Sequence, residues 1–90
     1  MKNNYLDKVV DQIVSETNYR EGQKYMDIPW IKHKLTKTYF IQRLRYDKSS
    51  SGKLNIPQPF TKHCKNIYGL NEDEIRYVWD KYVSTLLLPI

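Results

Sequence analysis

The stretch NIYGLNEDEIRYVW, residues 66–79, constrains the fold of this chain more than any other part of the sequence. Gly69 suits the left-handed backbone position that ends a helix, and Leu70 can supply the apolar contact beyond it. Asn71 followed by Glu74 predicts a capping box at the start of the next helix. The pattern therefore predicts two helices that meet at a sharp corner.

Apolar residues repeat at helical spacing on both sides of this corner. The preceding segment PFTKHCKNIY predicts two to three helical turns, with one apolar face made of Phe60, Cys64 and Ile67. The following helix, from 72 to about 87, carries an apolar stripe that comprises Ile75, Val78, Trp79, Tyr82 and Leu86. Both runs fit a structural αα-hairpin.

The same corner resembles the helix-turn-helix of DNA-binding proteins. Two features oppose a DNA-reading role. Lys65 occupies the position where a small residue usually allows close helix crossing, and the second helix opens with Glu72, Asp73 and Glu74. Carboxylates at the helix end that approaches the bases would be repelled by phosphates. We therefore favour a structural hairpin over a DNA-reading motif.

A third helix is predicted near the N-terminus, from about residue 4 to 17, where apolar residues recur at helical spacing: Leu6, Val9, Val10 and Ile13. The polar residues 18–28 and the segment DKSSSGK, residues 47–53, predict loops. A chain of 90 residues fits a single domain over 1–90. A domain of this size has a small core, so a partner or an oligomer would add to its stability.

The middle of the chain is ambiguous between helix and strand. Pro29 fits the first turn of a helix, but the run TYFI within residues 29–46 favours a strand. We predict a strand over 37–46 that returns after a turn through the short segment LNI. The predicted fold is α+β and mainly α, with an N-terminal helix packed on a C-terminal αα-hairpin and a basic central β-hairpin. The alternative is one long basic helix, which gives an all-α four-helix domain.

The positive charge is confined to one segment. Residues 32–65 hold nine basic groups against the single acidic residue Asp47, a net charge of +8, although the whole chain carries only +5. Residues 1–31 carry a net charge of −1 and residues 66–90 a net charge of −2. A surface that binds anions is therefore expected to come from the middle of the chain.

Aromatic residues interleave with these basic groups, which combines phosphate neutralisation with rings on which bases can stack. The candidate nucleic-acid-binding residues are Trp30, Lys32, Lys34, Lys37, Tyr39, Arg43, Arg45, Lys48 and Lys53. On a strand, Tyr39, Arg43 and Arg45 would share an exposed face. The open alternative is a solvated basic hairpin that binds nothing in particular, since charge runs are common on protein surfaces.

A second hypothesis is a protein-interaction or structural subunit. The chain contains eight tyrosines and ends in aliphatic residues that would contact a second copy or a host protein: Leu86, Leu87, Leu88 and Ile90. Tyrosine enrichment alone does not distinguish packing from binding, because the side chain serves both.

Catalysis has no support from the residues. Cys64 falls on an apolar helix face, which indicates a buried structural thiol rather than a nucleophile. We expect no enzyme activity, no cofactor and no metal site, since one Cys and two His cannot supply four zinc ligands and no phosphate-binding glycine loop is present. No stretch approaches the ~20 apolar residues of a membrane span. The expected location is a reducing cytoplasm, with nucleic acid or an acidic protein surface as the partner.

The segments YLDKVVDQIV and KHCKNIYGLNEDEIRYVWDKY resemble small uncharacterised proteins encoded by tailed phages of marine cyanobacteria. The resemblance covers the two ends of the chain and not the middle. It implies a protein made inside an infected bacterium, or a minor component of the virion. It transfers no site residue.

Overall fold

The fold is mainly α, as predicted. The computed structural model describes residues 2–19, 25–51 and 56–87. Within them lie four α-helices: α1 over Lys2–Glu16, α2 over Lys37–Ser51, α3 over Gln58–His63 and α4 over Glu72–Leu87. A π-helical turn over Cys64–Tyr68 continues α3, and two short strands pair antiparallel, β1 over Asn18–Tyr19 and β2 over Met26–Asp27.

Helices α1 and α4 pack against each other and form much of the core. The predicted inward face of α1 is buried at Leu6, Val9, Val10 and Ile13, which confirms the N-terminal amphipathic helix. The stripe on α4 is also confirmed, and its most deeply buried members are Ile75, Val78, Trp79 and Tyr82. Burial of these two apolar faces accounts for the alignment of the helices.

Tyrosine hydroxyls join the N-terminal helix to the C-terminal half of the chain. Four such bonds are present: Tyr5 to the Tyr68 carbonyl oxygen at 3.1 Å, Tyr68 to Glu16 at 3.1 Å, Tyr77 to Asp7 at 2.9 Å, and Tyr82 to Thr17 at 2.7 Å. Tyr68, Tyr77 and Tyr82 pack their rings in or against the core, and all four tyrosines direct the hydroxyl to a polar partner. Packing between helices therefore explains half of the eight tyrosines in the sequence.

The corner predicted at Gly69 is confirmed. Gly69 has φ 64° and ψ 33°, the left-handed conformation that glycine adopts without steric cost. The Asn71 side chain accepts a hydrogen bond from the Glu74 backbone N–H at 2.9 Å, and the Glu74 carboxylate accepts one from the Asn71 N–H at 3.0 Å. This reciprocal pair is the capping box that starts α4.

The π-helical turn before the corner corrects one predicted core residue. A π-turn closes its hydrogen bond over five residues, here from the Gly69 N–H to the Cys64 carbonyl oxygen. The wider turn changes which residue follows Cys64 on the inward side. Ile67, predicted to be inward, is 62% exposed, and Tyr68 is half-buried in its place.

The strand predicted over 37–46 is wrong, because these residues belong to α2. The Thr36 hydroxyl accepts a hydrogen bond from the Tyr39 N–H at 3.1 Å and caps the helix. Phe40 and Leu44, one helical turn apart, are both buried. The β preference of the TYFI run is therefore outweighed by tertiary packing of a helical face.

The two predicted loops also contain regular structure. Helix α2 runs to Ser51, so residues 47–51 are helical rather than a turn. The segment 18–28 includes β1 and β2, and the backbones of Met26 and Leu35 form a further antiparallel bridge. The LNI segment, predicted as a return strand, falls mostly outside the described residues. Four helices in the described part of the chain fit the all-α alternative better than a central β-hairpin.

Replacing Tyr82 with Phe is expected to lower the free energy of unfolding by about 1–2 kcal/mol. The Thr17 hydroxyl gives its only proton to the Ile13 carbonyl oxygen at 2.9 Å, so Tyr82 donates to Thr17. Phe keeps the ring packing but leaves the buried Thr17 oxygen without that donor. Denaturant titration at pH 8 measures the loss, with Tyr77→Phe as the control, whose hydroxyl bonds Asp7 at the surface and is expected to matter less.

The same comparison in alkali tests the burial of the Tyr82 hydroxyl. Burial raises the pKa of Tyr82, whereas an unfolded tyrosine ionises near pH 10. Above that pH the unfolded state releases a proton that the folded state keeps, so stability falls as the pH rises. Tyr82→Phe removes this contribution, and its stability deficit should narrow between pH 9 and 11. A constant deficit, or equal effects of Tyr82→Phe and Tyr77→Phe at pH 8, would contradict the account.

Candidate nucleic-acid interface

The described basic residues of the central segment lie on the 28–36 loop, on α2, on α3 and on the π-helical turn. Among the predicted binding residues, four basic side chains are exposed, namely Lys32, Lys34, Arg43 and Arg45, and the Tyr39 ring is exposed as well. Lys37 is half-buried, and the Lys48 side chain and Lys53 fall outside the described residues. Loop and helix thus present exposed cations from two separate parts of the sequence.

A groove of about 550 Å³, which we call the basic groove, separates the 28–36 loop from α3. Its polar walls come from both elements and comprise Lys32, His33, Gln58, Lys62 and His63. Its apolar floor comprises Trp30, Ile31 and Pro59. Two lysines and two imidazoles around an apolar floor provide donors for an anion whose body is flat or apolar.

A second cavity of about 330 Å³, which we call the aromatic pocket, adjoins the basic groove and shares its floor residues Trp30, Ile31 and Pro59. Further rings and aliphatic groups line it, namely Leu35, Phe40, Leu44, Pro57 and Trp79. Tyr39 and Arg43 of α2 complete the lining. The two cavities together join the predicted binding residues of the loop to those of α2.

Because α2 is a helix and not a strand, different members of the predicted binding set share a face. Tyr39 and Arg43 are one turn apart, so they share a face of the helix and both reach the aromatic pocket. Arg45 lies two residues from Arg43, which places it on a different side of the helix. The prediction that Tyr39, Arg43 and Arg45 share one strand face is therefore wrong for Arg45.

Trp30 is a core residue rather than an exposed stacking group. Its side chain is only 7% exposed. Four aromatic rings surround it, with centroid distances of 5.2 Å to Phe60, 6.1 Å to Phe40, 6.1 Å to Trp79 and 6.2 Å to Tyr82. Trp30 was predicted as one of the rings on which a base can stack, but neighbouring rings cover most of its surface. Trp30 instead contributes to the floor of both cavities.

Lys62 and His63 were not among the residues predicted to bind. Both lie in the last turn of α3, thirty residues from Lys32 and His33 in the sequence, and the fold brings the four into one groove. The charge count over 32–65 already included Lys62, but no periodic pattern signals its approach to the loop. Their proximity depends on tertiary packing alone.

A carboxylate lies beside the basic groove. The Glu16 Oε2 is 3.4 Å from the His63 Nε2, and the Glu16 Oε1 accepts hydrogen bonds from Tyr68 and Gln12, each at 3.1 Å. Burial and the bond to Glu16 raise the pKa of Tyr68 to about 12, so this hydroxyl remains a donor at neutral pH. These contacts join the end of α1 to the π-helical turn and place the Glu16 carboxylate beside the His63 ring.

A third cavity, of about 250 Å³, is lined by the same loop and by carboxylates. Glu16 and Asp27 line it together with Lys32, His33 and Lys34. The Lys34 ammonium lies 4.7 Å from the centre of the Tyr25 ring, a cation–π contact. Mixed charge makes this cavity a poorer site for phosphate than the basic groove.

The other residues that the sequence analysis considered for a function contribute to the packing or the capping of helices where they are described. Cys64 is fully buried, as predicted, and burial raises the pKa of its thiol to about 12. Glu74 caps α4. Leu86 and Leu87 are half-buried against the core, whereas Leu88 and Ile90 lie outside the described residues.

Three further findings concern metal binding, membrane spans and similarity to known proteins. No group of three or more metal-ligating side chains occurs in residues 2–19, 25–51 and 56–87. In the same ranges, no helix has both the length and the apolar character needed to cross a membrane. No family model, curated protein or solved structure matches the chain.

Replacing Trp30 with Ala is expected to lower the free energy of unfolding by about 3–5 kcal/mol, because it removes the ring that contacts the loop, α2, α3 and α4 together. Replacing Tyr39 with Ser should change that free energy by no more than about 0.5 kcal/mol, since its side chain is 54% exposed. Thermal or denaturant unfolding measures both. Equal destabilisation by the two variants would contradict the assignment of Trp30 to the core and Tyr39 to the surface.

Proposed function

We propose that the chain is a small non-enzymatic binding module that holds nucleic acid along the basic groove and the aromatic pocket. The observation that supports the proposal most strongly is the meeting of the two cavities over a shared floor. One cavity presents Lys32 and Lys62, and the other presents Arg43 and Tyr39. Cations that contact phosphates beside rings that contact bases are the usual means of holding a nucleic-acid strand.

The distribution of charge over the helices supports the same proposal. Helices α1 and α4 carry most of the acidic residues: α1 has Asp7, Asp11 and Glu16, and α4 has Glu72, Asp73, Glu74 and Asp80. In contrast, α2, α3 and the 28–36 loop contain one acidic residue, Asp47, among the described residues. A polyanion is therefore attracted to the side formed by the loop, α2 and α3.

The placement of the tyrosines also supports nucleic-acid binding at the aromatic pocket. The hydroxyls of Tyr5, Tyr68, Tyr77 and Tyr82 are bonded across the helix packing. The most exposed tyrosines of the described chain are Tyr46 and Tyr39 of α2, at 66% and 54%. Tyr39 is thus available to a ligand on the same helix face as Arg43.

The resemblance to proteins of cyanobacterial phages implies that the nucleic acid is phage or host nucleic acid in the cytoplasm of an infected bacterium. An acidic protein surface offers the same charge, and the experiment below distinguishes it from nucleic acid.

Replacing Lys32 and Lys62 together with Gln is expected to weaken binding of a labelled oligonucleotide about tenfold at low salt. The affinity of the wild-type chain should fall as salt rises, and the logarithmic slope should become shallower in the variant by about 0.7 for each phosphate contact removed from a single strand. Fluorescence anisotropy at a series of salt concentrations measures both quantities. Gln keeps much of the side-chain volume and removes only the charge.

The control is the Lys8→Gln, Lys81→Gln double variant, which changes the net charge equally. Both lysines are exposed, lie on α1 and α4, and line neither cavity. Equal losses in the two double variants would show that overall charge rather than the groove drives binding. Absence of binding at low salt, or equal competition by polyglutamate at matched charge concentration, would contradict the proposal.

A further inference from the structure

We propose that the aromatic pocket holds one unpaired nucleobase, so that the chain prefers single-stranded nucleic acid to a duplex. This inference rests on the proposed function, because the basic groove must hold the neighbouring phosphates. It adds the strandedness of the substrate and a distinct site for the base. Both follow from the shape and chemistry of the pocket.

The pocket has the size and lining of a ligand site. Its volume of about 330 Å³ lies at the lower end of the roughly 300–1,000 Å³ that is usual for small-molecule sites. The Trp30 ring lies 6.1 Å from the Phe40 ring and 6.1 Å from the Trp79 ring, and all three residues line the cavity. An apolar, ring-lined cavity of this size suits a flat group with a polar edge.

Two hydrogen-bond donors at this cavity have no acceptor. Trp30 is 7% exposed and Trp79 is 1% exposed, yet within the described residues neither indole Nε1–H has a hydrogen-bond partner. Buried polar groups are normally paired, and indole can only donate. Both nitrogen atoms are buried, so an acceptor atom of a ligand in the pocket reaches them only if the surrounding rings shift. Nucleobases carry ring nitrogens and carbonyl oxygens that accept such bonds.

The rim of the pocket provides two planar groups for the same ligand. Tyr39 is 54% exposed and Arg43 is also exposed, one helical turn away on α2. A phenol ring and a guanidinium group both stack on bases, and the guanidinium also binds phosphate. The pocket therefore presents stacking groups at its rim beside a lining of aromatic rings.

The recessed position of the aromatic pocket favours a single strand over a duplex as the ligand. In a duplex the bases are stacked and paired, so a base reaches a recessed cavity only when it is turned out of the helix. An unpaired strand can place one base in the aromatic pocket while its neighbouring phosphate enters the basic groove, because the cavities share Trp30, Ile31 and Pro59. Lys32 and Lys62 then lie beside the backbone of that nucleotide.

Intrinsic fluorescence tests the inference, because the only two tryptophans of the chain both line the pocket. The full chain is titrated at one low salt concentration with three labelled probes of equal length: a single-stranded oligodeoxynucleotide, its abasic counterpart with the same phosphates, and the blunt duplex. Anisotropy of the label reports binding, and tryptophan emission reports occupation of the pocket. The two signals are recorded on the same samples.

The intact single strand is expected to bind about tenfold more tightly than the abasic strand and to quench tryptophan emission. The abasic strand should bind through its phosphates without quenching. If all three probes bind with equal affinity and without quenching, the base site is wrong and the proposed function stands. If none binds, the proposed function fails, and the inference fails with it.

A variant pair provides the second measurement. Tyr39→Ser should lower affinity for the intact single strand about tenfold and leave affinity for the abasic strand unchanged. Tyr46→Ser is the control, since Tyr46 is an exposed tyrosine of the same helix that does not line the pocket. Equal effects of the two substitutions, or an equal loss on the abasic strand, would overturn the assignment of the base to this pocket.

Discussion

The contacts of one ring, that of Trp30, determine how the parts of this chain fit together. Trp30 belongs to a loop, yet its ring contacts Phe40 of α2, Phe60 of α3 and Trp79 of α4. In a small domain with few core residues, such a shared contact holds elements that otherwise meet weakly. Trp30 lines both cavities, and Phe40 and Trp79 line the aromatic pocket. The core and the candidate site are therefore built from the same side chains.

Local chemistry made part of the fold predictable. Gly69, Asn71 and Glu74 act on their immediate neighbours, so the corner and the start of α4 could be predicted from residue type and spacing. The inward faces of α1 and α4 were predictable because helical periodicity shows directly in the sequence. The structure of the central segment depends instead on packing between residues that are distant in the sequence. Phe40 and Leu44 form a helical face only because a core lies beside them, and their local β preference misled the prediction.

The candidate site was partly predictable for the same reason. The charge count located the site in the central segment, and Tyr39, Arg43 and Lys32 do line the cavities. Charge and composition carry no information about burial, so Trp30 was included among the candidate stacking groups although it lies in the core. They also carry none about distant neighbours, so Lys62 and His63 were not connected to the loop that they face. A π-helical turn, which no spacing rule signals, moved Ile67 to the surface.

The central claim is that the ring cluster of the core also forms the floor of a nucleic-acid site. The most direct test is a nuclear magnetic resonance titration of the ¹⁵N-labelled chain with an unlabelled single-stranded oligonucleotide. The account predicts that the indole N–H signals of Trp30 and Trp79 shift, together with the backbone amides of Lys32 and Arg43, while exposed α1 residues such as Asp11 stay unchanged. Shifts confined to α1, or unchanged indole signals at saturation, would contradict it.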